Sequence, residues 1–141
     1  MMPLQEMSDR LEIQDLLARY SHAIDERRWD ALDAVFTPDA HIDYTAAGGI
    51  KGSFGEVKAW LAEVLPAFAV TQHLAATTRL DLHGDTADAR TILFNPMVSH
   101  DEQGGEHTLF VGLWYRDDLV RTSDGWRIAQ RVEEKGYMTA L

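Results

Sequence analysis

Apolar residues recur at helical spacing near the start of the chain. Leu11, Ile13, Leu16, Leu17, Tyr20 and Ile24 form one stripe, while Glu12, Gln14, Asp15 and Arg19 fall mostly off it. The pattern predicts an amphipathic helix over about 9–24, with Ser8 as its N-cap. Trp29, Leu32, Val35 and Phe36 predict a short second helix, ended by Thr37-Pro38-Asp39. Ala40 to Tyr44 alternates and reads as a strand, closed by Ala46-Ala47-Gly48-Gly49. Ser53-Phe54-Gly55-Glu56 has the spacing of a capping box. The helix it opens carries Val57, Trp60, Leu61, Val64 and Phe68 on one face, and Pro66 ends or kinks it.

From Thr71 onward the pattern becomes that of strands. They are expected over 71–82, 86–98, 107–121 and about 126–133, with turns at His83-Gly84-Asp85, Asp101 to Gly105 and Ser123-Asp124-Gly125. Pro96, which lacks an N–H, predicts a sheet edge or a bulge beside Asn95. The third strand is apolar on both faces, from Leu109 to Tyr115, so both faces need cover. Helices can cover one side and a second subunit the other, which predicts a homodimer.

Helices segregated ahead of a strand meander specify an α+β class rather than a doubly wound sheet. The expected architecture is a strongly curved, mostly antiparallel sheet wrapped by three N-terminal helices, a cone with an internal pocket. No linker, repeat or low-complexity stretch divides the chain, so one domain is expected over 1–141, with its core at about 8–133.

Composition narrows the function classes. The formal net charge of −10 and the lack of any Lys/Arg run beyond Arg27-Arg28 argue against nucleic acid and acidic membranes as partners. No cysteine is present, which removes disulfides, thiolate metal sites and a cysteine nucleophile. The first residues lack a signal-peptide pattern and no apolar run reaches the ~20 residues that span a bilayer, so a cytoplasmic location is expected. The six histidines have no ligand spacing, and neither a metal nor a cofactor is expected.

Nucleotide-binding glycine loops, the nucleophile elbow and the zinc-protease helix motif are all absent. Three positions stand out. Asp25 falls at the C-terminal end of the first helix, where the macrodipole disfavours a negative charge, although a solvated helix end would also account for it. His73 follows Thr71-Gln72 beside small and apolar residues, a setting that equally suits a structural histidine. Tyr44 ends the first strand before a glycine-rich loop, where packing is the plainer role. Tyr20, Trp60, Phe68, Phe94, Met97 and Trp114 are candidate pocket walls that also read as ordinary core.

An ordered set of short motifs carries a resemblance. Ile13 to Tyr20, Asp25 through Trp29-Asp30-Ala31-Leu32, Phe36 to Ala40, Ile42-Asp43-Tyr44, Thr71-Gln72-His73, Gly84 to Ala87 and Asp124-Gly125-Trp126-Arg127 resemble SnoaL-like domains over about 8–133. That family shares the cone of nuclear transport factors and includes scytalone dehydratase, hexachlorocyclohexane dehydrochlorinase, ketosteroid isomerase and polyketide cyclases. The resemblance is nearest to the dehydratase and dehydrochlorinase branch. It implies an Asp25–His73 pair, with Tyr44 at the place of the dehydratase's first-strand tyrosine.

Departures from the branch are specific. The dehydratase's tyrosine before the Asp is Ile24, and its second histidine falls near Asn95-Pro96-Met97. Tyr20 stands for the dehydrochlorinase's helical lysine, and Arg121 for an arginine late in its sheet. The implied function is a cofactor-independent lyase or isomerase that removes a proton from a small apolar molecule with an Asp–His dyad. The alternative is a binding or assembly domain of the same fold.

Overall fold

The first apolar stripe is buried by a 22-residue helix, α1 (Leu4–Asp25), in the computed structural model, which describes residues 1–141. Ile13, Leu16, Leu17, Tyr20 and Ile24 all reach the core, whereas Leu11 lies off the stripe and is exposed. The helix starts a turn earlier than its polarity suggests. Extended Pro3 takes the N-cap position and Ser8 lies inside the helix, because a proline just before the first turn forfeits only an N–H that has no helical partner.

The second helical segment is a single 3₁₀ stretch, Trp29–Ala34, which buries only Leu32. Phe36 therefore opens strand β1 (Phe36–Asp43), and Thr37-Pro38-Asp39 continue that strand instead of closing a helix. Tertiary packing overrides the local signal. The Phe36 ring meets Tyr20 edge-on at 5.9 Å and stacks on Phe54 at 5.1 Å.

Strand β2 (Lys51–Ser53) leads into α2 (Phe54–Val64). Ser53 Oγ accepts the Glu56 N–H at 3.2 Å, as the capping spacing predicts. A 3₁₀ turn holding Pro66 ends the helix, so Phe68 lies beyond it. Five further strands follow: β3 (Val70–Thr71), β4 (Leu74–His83), β5 (Thr86–His100), β6 (Glu106–Thr122) and β7 (Gly125–Ala140). The last runs well past Glu133.

All seven strands join one sheet in the order β2-β1-β7-β6-β5-β3, with β4 pairing β5 beside β3. Only β1 and β7 run parallel. Register shifts at Ala76/Thr78 in β4 and at Gly112/Leu113 and Asp118/Leu119 between β6 and β7 bend the sheet, since each bulge adds local twist. The concave face closes over α1 and α2, and the core lies between them. No helix is long and apolar enough to cross a membrane.

Pro96 forces neither of the outcomes expected of it. The β5–β6 register runs unbroken from Thr86 to His100, so Pro96 sits within an interior strand. The interruption falls on its other neighbour. Pro96 O accepts from Gln72 N–H at 3.1 Å, so the side that lacks a donor faces the gap between β3 and β4. That gap is Gln72-His73, and it brings His73 beside Asn95.

Candidate active site

The site assembles where the end of α1 meets the β3–β4 gap. Asp25 is the last residue of α1, and its Oδ1 lies 2.7 Å from His73 Nδ1. Its Oδ2 accepts the His73 backbone N–H at 2.8 Å, and Thr71 Oγ1 donates to Oδ1 at 3.0 Å. Both side chains are withdrawn from solvent, 7% exposed for His73 and 21% for Asp25. Burial pushes the Asp25 carboxyl up, but the donors from His73 and Thr71 outweigh it and hold its pKa below the usual carboxylate range.

Arg27 braces this arrangement. It takes a left-handed backbone conformation (φ 59°), uncommon for a non-glycine residue, immediately after the helix. Its guanidinium donates to Thr71 Oγ1 at 3.0 Å and to Phe68 O at 3.1 Å. The Thr71 hydroxyl thus accepts from Arg27 and donates to Asp25, so its orientation is fixed.

A carboxylate on Nδ1 sets the histidine tautomer: Nδ1 carries the proton and Nε2 is the acceptor. Asn95 Nδ2 stands 3.2 Å from Nε2, while Asn95 Oδ1 is buried without a partner. His73 and Asn95 line a cavity of about 240 Å³ whose walls are mostly apolar. Tyr20, Tyr44, Trp60, Phe68 and Met97 line it as the sequence suggested, joined by Leu93, Val111, Leu113 and Tyr115. Gly49 closes the loop over the cavity because a side chain there would meet Trp60 at 2.7 Å and the Tyr44 carbonyl at 2.9 Å.

Phe94 and Trp114 are not among these walls, and the reason is strand phase. Leu93, Asn95 and Met97 face inward on β5, and Leu109, Val111, Leu113 and Tyr115 do so on β6, so the residues between them face out. Phe94 stacks on Phe110 at 6.1 Å, and Arg90 lies 4.4 Å above the Trp114 ring. Arg121 is also outside the cavity. It grips Asp9 with two bonds of 2.7 and 3.0 Å and Asp85 with one of 3.0 Å, near the other end of α1. Asp9 and Asp25 are about 24 Å apart along the helix at 1.5 Å per residue.

Further groups stand around and beneath the cavity, and of these motif matching missed Tyr115, Arg131 and Glu133. Tyr20 and Tyr44 join their hydroxyls at 2.6 Å. Arg131, fully buried, pairs with Asp117 at 2.7 and 2.9 Å and lies 3.8 Å from the Tyr115 ring and 4.3 Å from that of Tyr20. Burial drives the pKa of Tyr20, Tyr44 and Tyr115 well above the ordinary phenol value, against the pull of Arg131, so all three stay neutral donors. Glu133 lines the cavity too, and burial raises its carboxyl to about 8 despite Arg131 and the Ala47 N–H. Strand alternation was the available signal, since Arg131 and Glu133 share a face of β7.

No three His, Asp or Glu side chains gather as a metal-binding cluster. What the residues offer is proton chemistry: an oriented imidazole, neutral hydroxyls and a carboxyl around an apolar space.

Comparison with known proteins agrees with this architecture. Residues 5–132 match the family model described as the SnoaL-like domain. An uncharacterized protein of Mycobacterium tuberculosis is 55% identical over 141 residues, covering 100% of this chain and 95% of the relative. A hexachlorocyclohexane dehydrochlorinase of Novosphingobium barchaimii superposes with a TM-score of 0.80 at 20% identity, covering 98% and 93% of the two chains. A candidate scytalone dehydratase of Novosphingobium aromaticivorans gives 0.81 at 17%, covering 94% and 87%. At such identities the two structures share the fold.

Proposed function

Because the chain belongs to the SnoaL-like domain family, we propose that it is a cofactor-independent lyase or isomerase acting on a small apolar organic molecule. The observation that carries this reading is the 2.7 Å contact between Asp25 Oδ1 and His73 Nδ1 at the wall of an apolar cavity. His73 Nε2 removes a proton from a carbon next to a carbonyl or a leaving group. The electron pair left behind forms a double bond or an enolate. Asp25 stabilises the resulting imidazolium, and the low-dielectric cavity strengthens that attraction. The Tyr20–Tyr44 pair holds one hydrogen bond between two hydroxyls, so one phenol proton is left to donate to a substrate oxygen. Asn95 can follow the proton: turning its amide over presents Oδ1, which has no partner, to the N–H formed on Nε2.

One observation favours a second reading, a domain that binds an apolar molecule without converting it. Asn95 Nδ2 already covers the Nε2 lone pair. Screening β-hydroxy ketones, enones and halogenated cycloalkanes by mass spectrometry, with wild type and His73→Ala, separates the two. The enzyme reading expects product from wild type and a fall of ~10²–10⁴-fold in the variant. Ligand binding with no product, or turnover that survives loss of His73, would count against it.

The proposal includes a two-fold homodimer that covers the outer sheet face at Phe94, Phe110 and Trp114. Light scattering should return twice the chain mass at micromolar concentration, and Phe110→Glu should return the monomer mass.

A further inference from the structure

Glu133 has no part in the proton abstraction described above, yet it occupies the same cavity. It stands on β7 directly across from Tyr115 on β6, two residues along the inward face from Arg131. Its Oε1 is buried with no partner. The Ala47 N–H is directed at the carboxyl, and Asp43, Tyr44, Tyr115 and Arg131 are the titratable or charged groups around it. A carboxylate in this place would face an apolar space with one oxygen unsolvated, a costly arrangement. A carboxylic acid has a proton to donate into the space instead.

Resting on the reading of His73 as the base, we propose that Glu133 is the general acid of this site and that the substrate class is a β-hydroxy carbonyl compound, which the protein dehydrates. His73 Nε2 takes the proton on the carbon next to the carbonyl. The C–H electron pair passes first into an enolate, which exchanges its proton if it is reprotonated. It then becomes the new C=C bond as the C–O bond to the hydroxyl breaks and that bond's pair goes to the departing oxygen. The Glu133 carboxyl proton joins this oxygen, which leaves as water. The step ends with a His73 imidazolium and a Glu133 carboxylate, and proton exchange with water resets both. Atoms and charge balance without an added reactant. A hydroxide is a poor leaving group and needs this proton, whereas a halide does not, so a protonated acid on the cavity wall favours dehydration over dehydrohalogenation. Retention of the proton near neutral pH follows from burial, which lifts the carboxyl to about 8.

The test uses 4-hydroxy-4-phenylbutan-2-one as probe in deuterated buffer, with NMR following two events in one sample. Exchange at the carbon between the carbonyl and the carbinol reads His73, and formation of the enone reads the acid. His73→Ala should lose both. Glu133→Gln, close in shape but unable to supply the proton, should lower the ratio of dehydration to exchange at least ~100-fold. In wild type that ratio should fall as pH rises through about 8. An unchanged ratio in Glu133→Gln overturns the proposal and leaves His73 as base. Wild type that exchanges nothing, or exchange that persists in His73→Ala, overturns the reading beneath it. Independently of turnover, ¹³C titration of the carboxyl signal missing from Glu133→Gln must show a midpoint well above the other glutamates. Titration among them overturns the proposal.

Discussion

Two aspartates on the same helix, Asp9 and Asp25, tie α1 to the sheet in opposite ways. Asp9 is saturated: Arg121 grips both oxygens, while Trp126 Nε1 donates at 3.1 Å and Gln5 at 3.0 Å. Arg121 and the neighbouring donors hold its pKa at about 2 against the effect of burial. Asp25 accepts three bonds to the four of Asp9, and its main partner is an imidazole with a second nitrogen directed elsewhere. Arginine brings donors only and keeps its proton, so Asp9–Arg121 can do nothing but hold. Histidine can take a proton on the far side of the ring while the carboxylate holds the near one. The identity of the cation, more than the geometry around the carboxylate, separates a fastener from a site that can do chemistry.

The sharpest way to break this comparison is to change each end and ask what is lost. Asp25→Asn keeps the size but allows the wrong tautomer and cannot stabilise imidazolium. Deuterium exchange into a β-hydroxy ketone should fall about 10⁴-fold, the loss seen for the same change in a serine-protease triad. A loss under tenfold would make Asp25 a fastener like Asp9.

Arg121→Met should produce the reverse pattern. It leaves a carboxylate that is only 8% exposed without its cation, which lowers the urea unfolding midpoint, while exchange activity stays within a few-fold of wild type. Acid should reveal the same contact. The folded-state pKa of Asp9 is lowered, so its contribution is complete above about 4, the unfolded value, and is lost as pH falls through about 2. Asp25, also lowered, adds in the same direction. Arg121→Met should flatten that acid dependence. A large loss of activity at unchanged stability would make Arg121 a catalytic group, as its match to the dehydrochlorinase's arginine implies.

The smallest effects come from removing one neutral donor at each end. Gln5→Ala and Thr71→Val should each cost about 1 kcal/mol of stability. Only Thr71→Val should also slow exchange, by several-fold, because Thr71 links Arg27 to the carboxylate that orients His73. Equal kinetic effects would erase the distinction.

Much of this molecule is legible in its residues. The period near 3.6 in α1, the Ser53–Glu56 cap and the glycine turns are local signals, and local physics fixes them. The ordered motifs led to the family and named Asp25, His73 and Tyr44 before any geometry was known. What the sequence left open was phase and neighbourhood. Strands apolar on both faces do not reveal which face turns inward, and a slip of one residue exchanges the two sets. That is why Phe94 and Trp114 read as pocket walls while Leu93, Asn95 and Leu113 are the ones that line it. Similarly, nothing local separates Arg121, which fastens a helix at the surface, from Arg131, which is wholly buried under the tyrosines. Nor could any spacing show that Glu133 stands in an apolar space and keeps its proton, because the energy of a charge depends on every group packed around it. Sequence determined the elements, the family and the pair of residues to suspect. Only the curved sheet packed on its helices decided which side chains share the cavity, since burial and charge pairing belong to positions far apart in the chain.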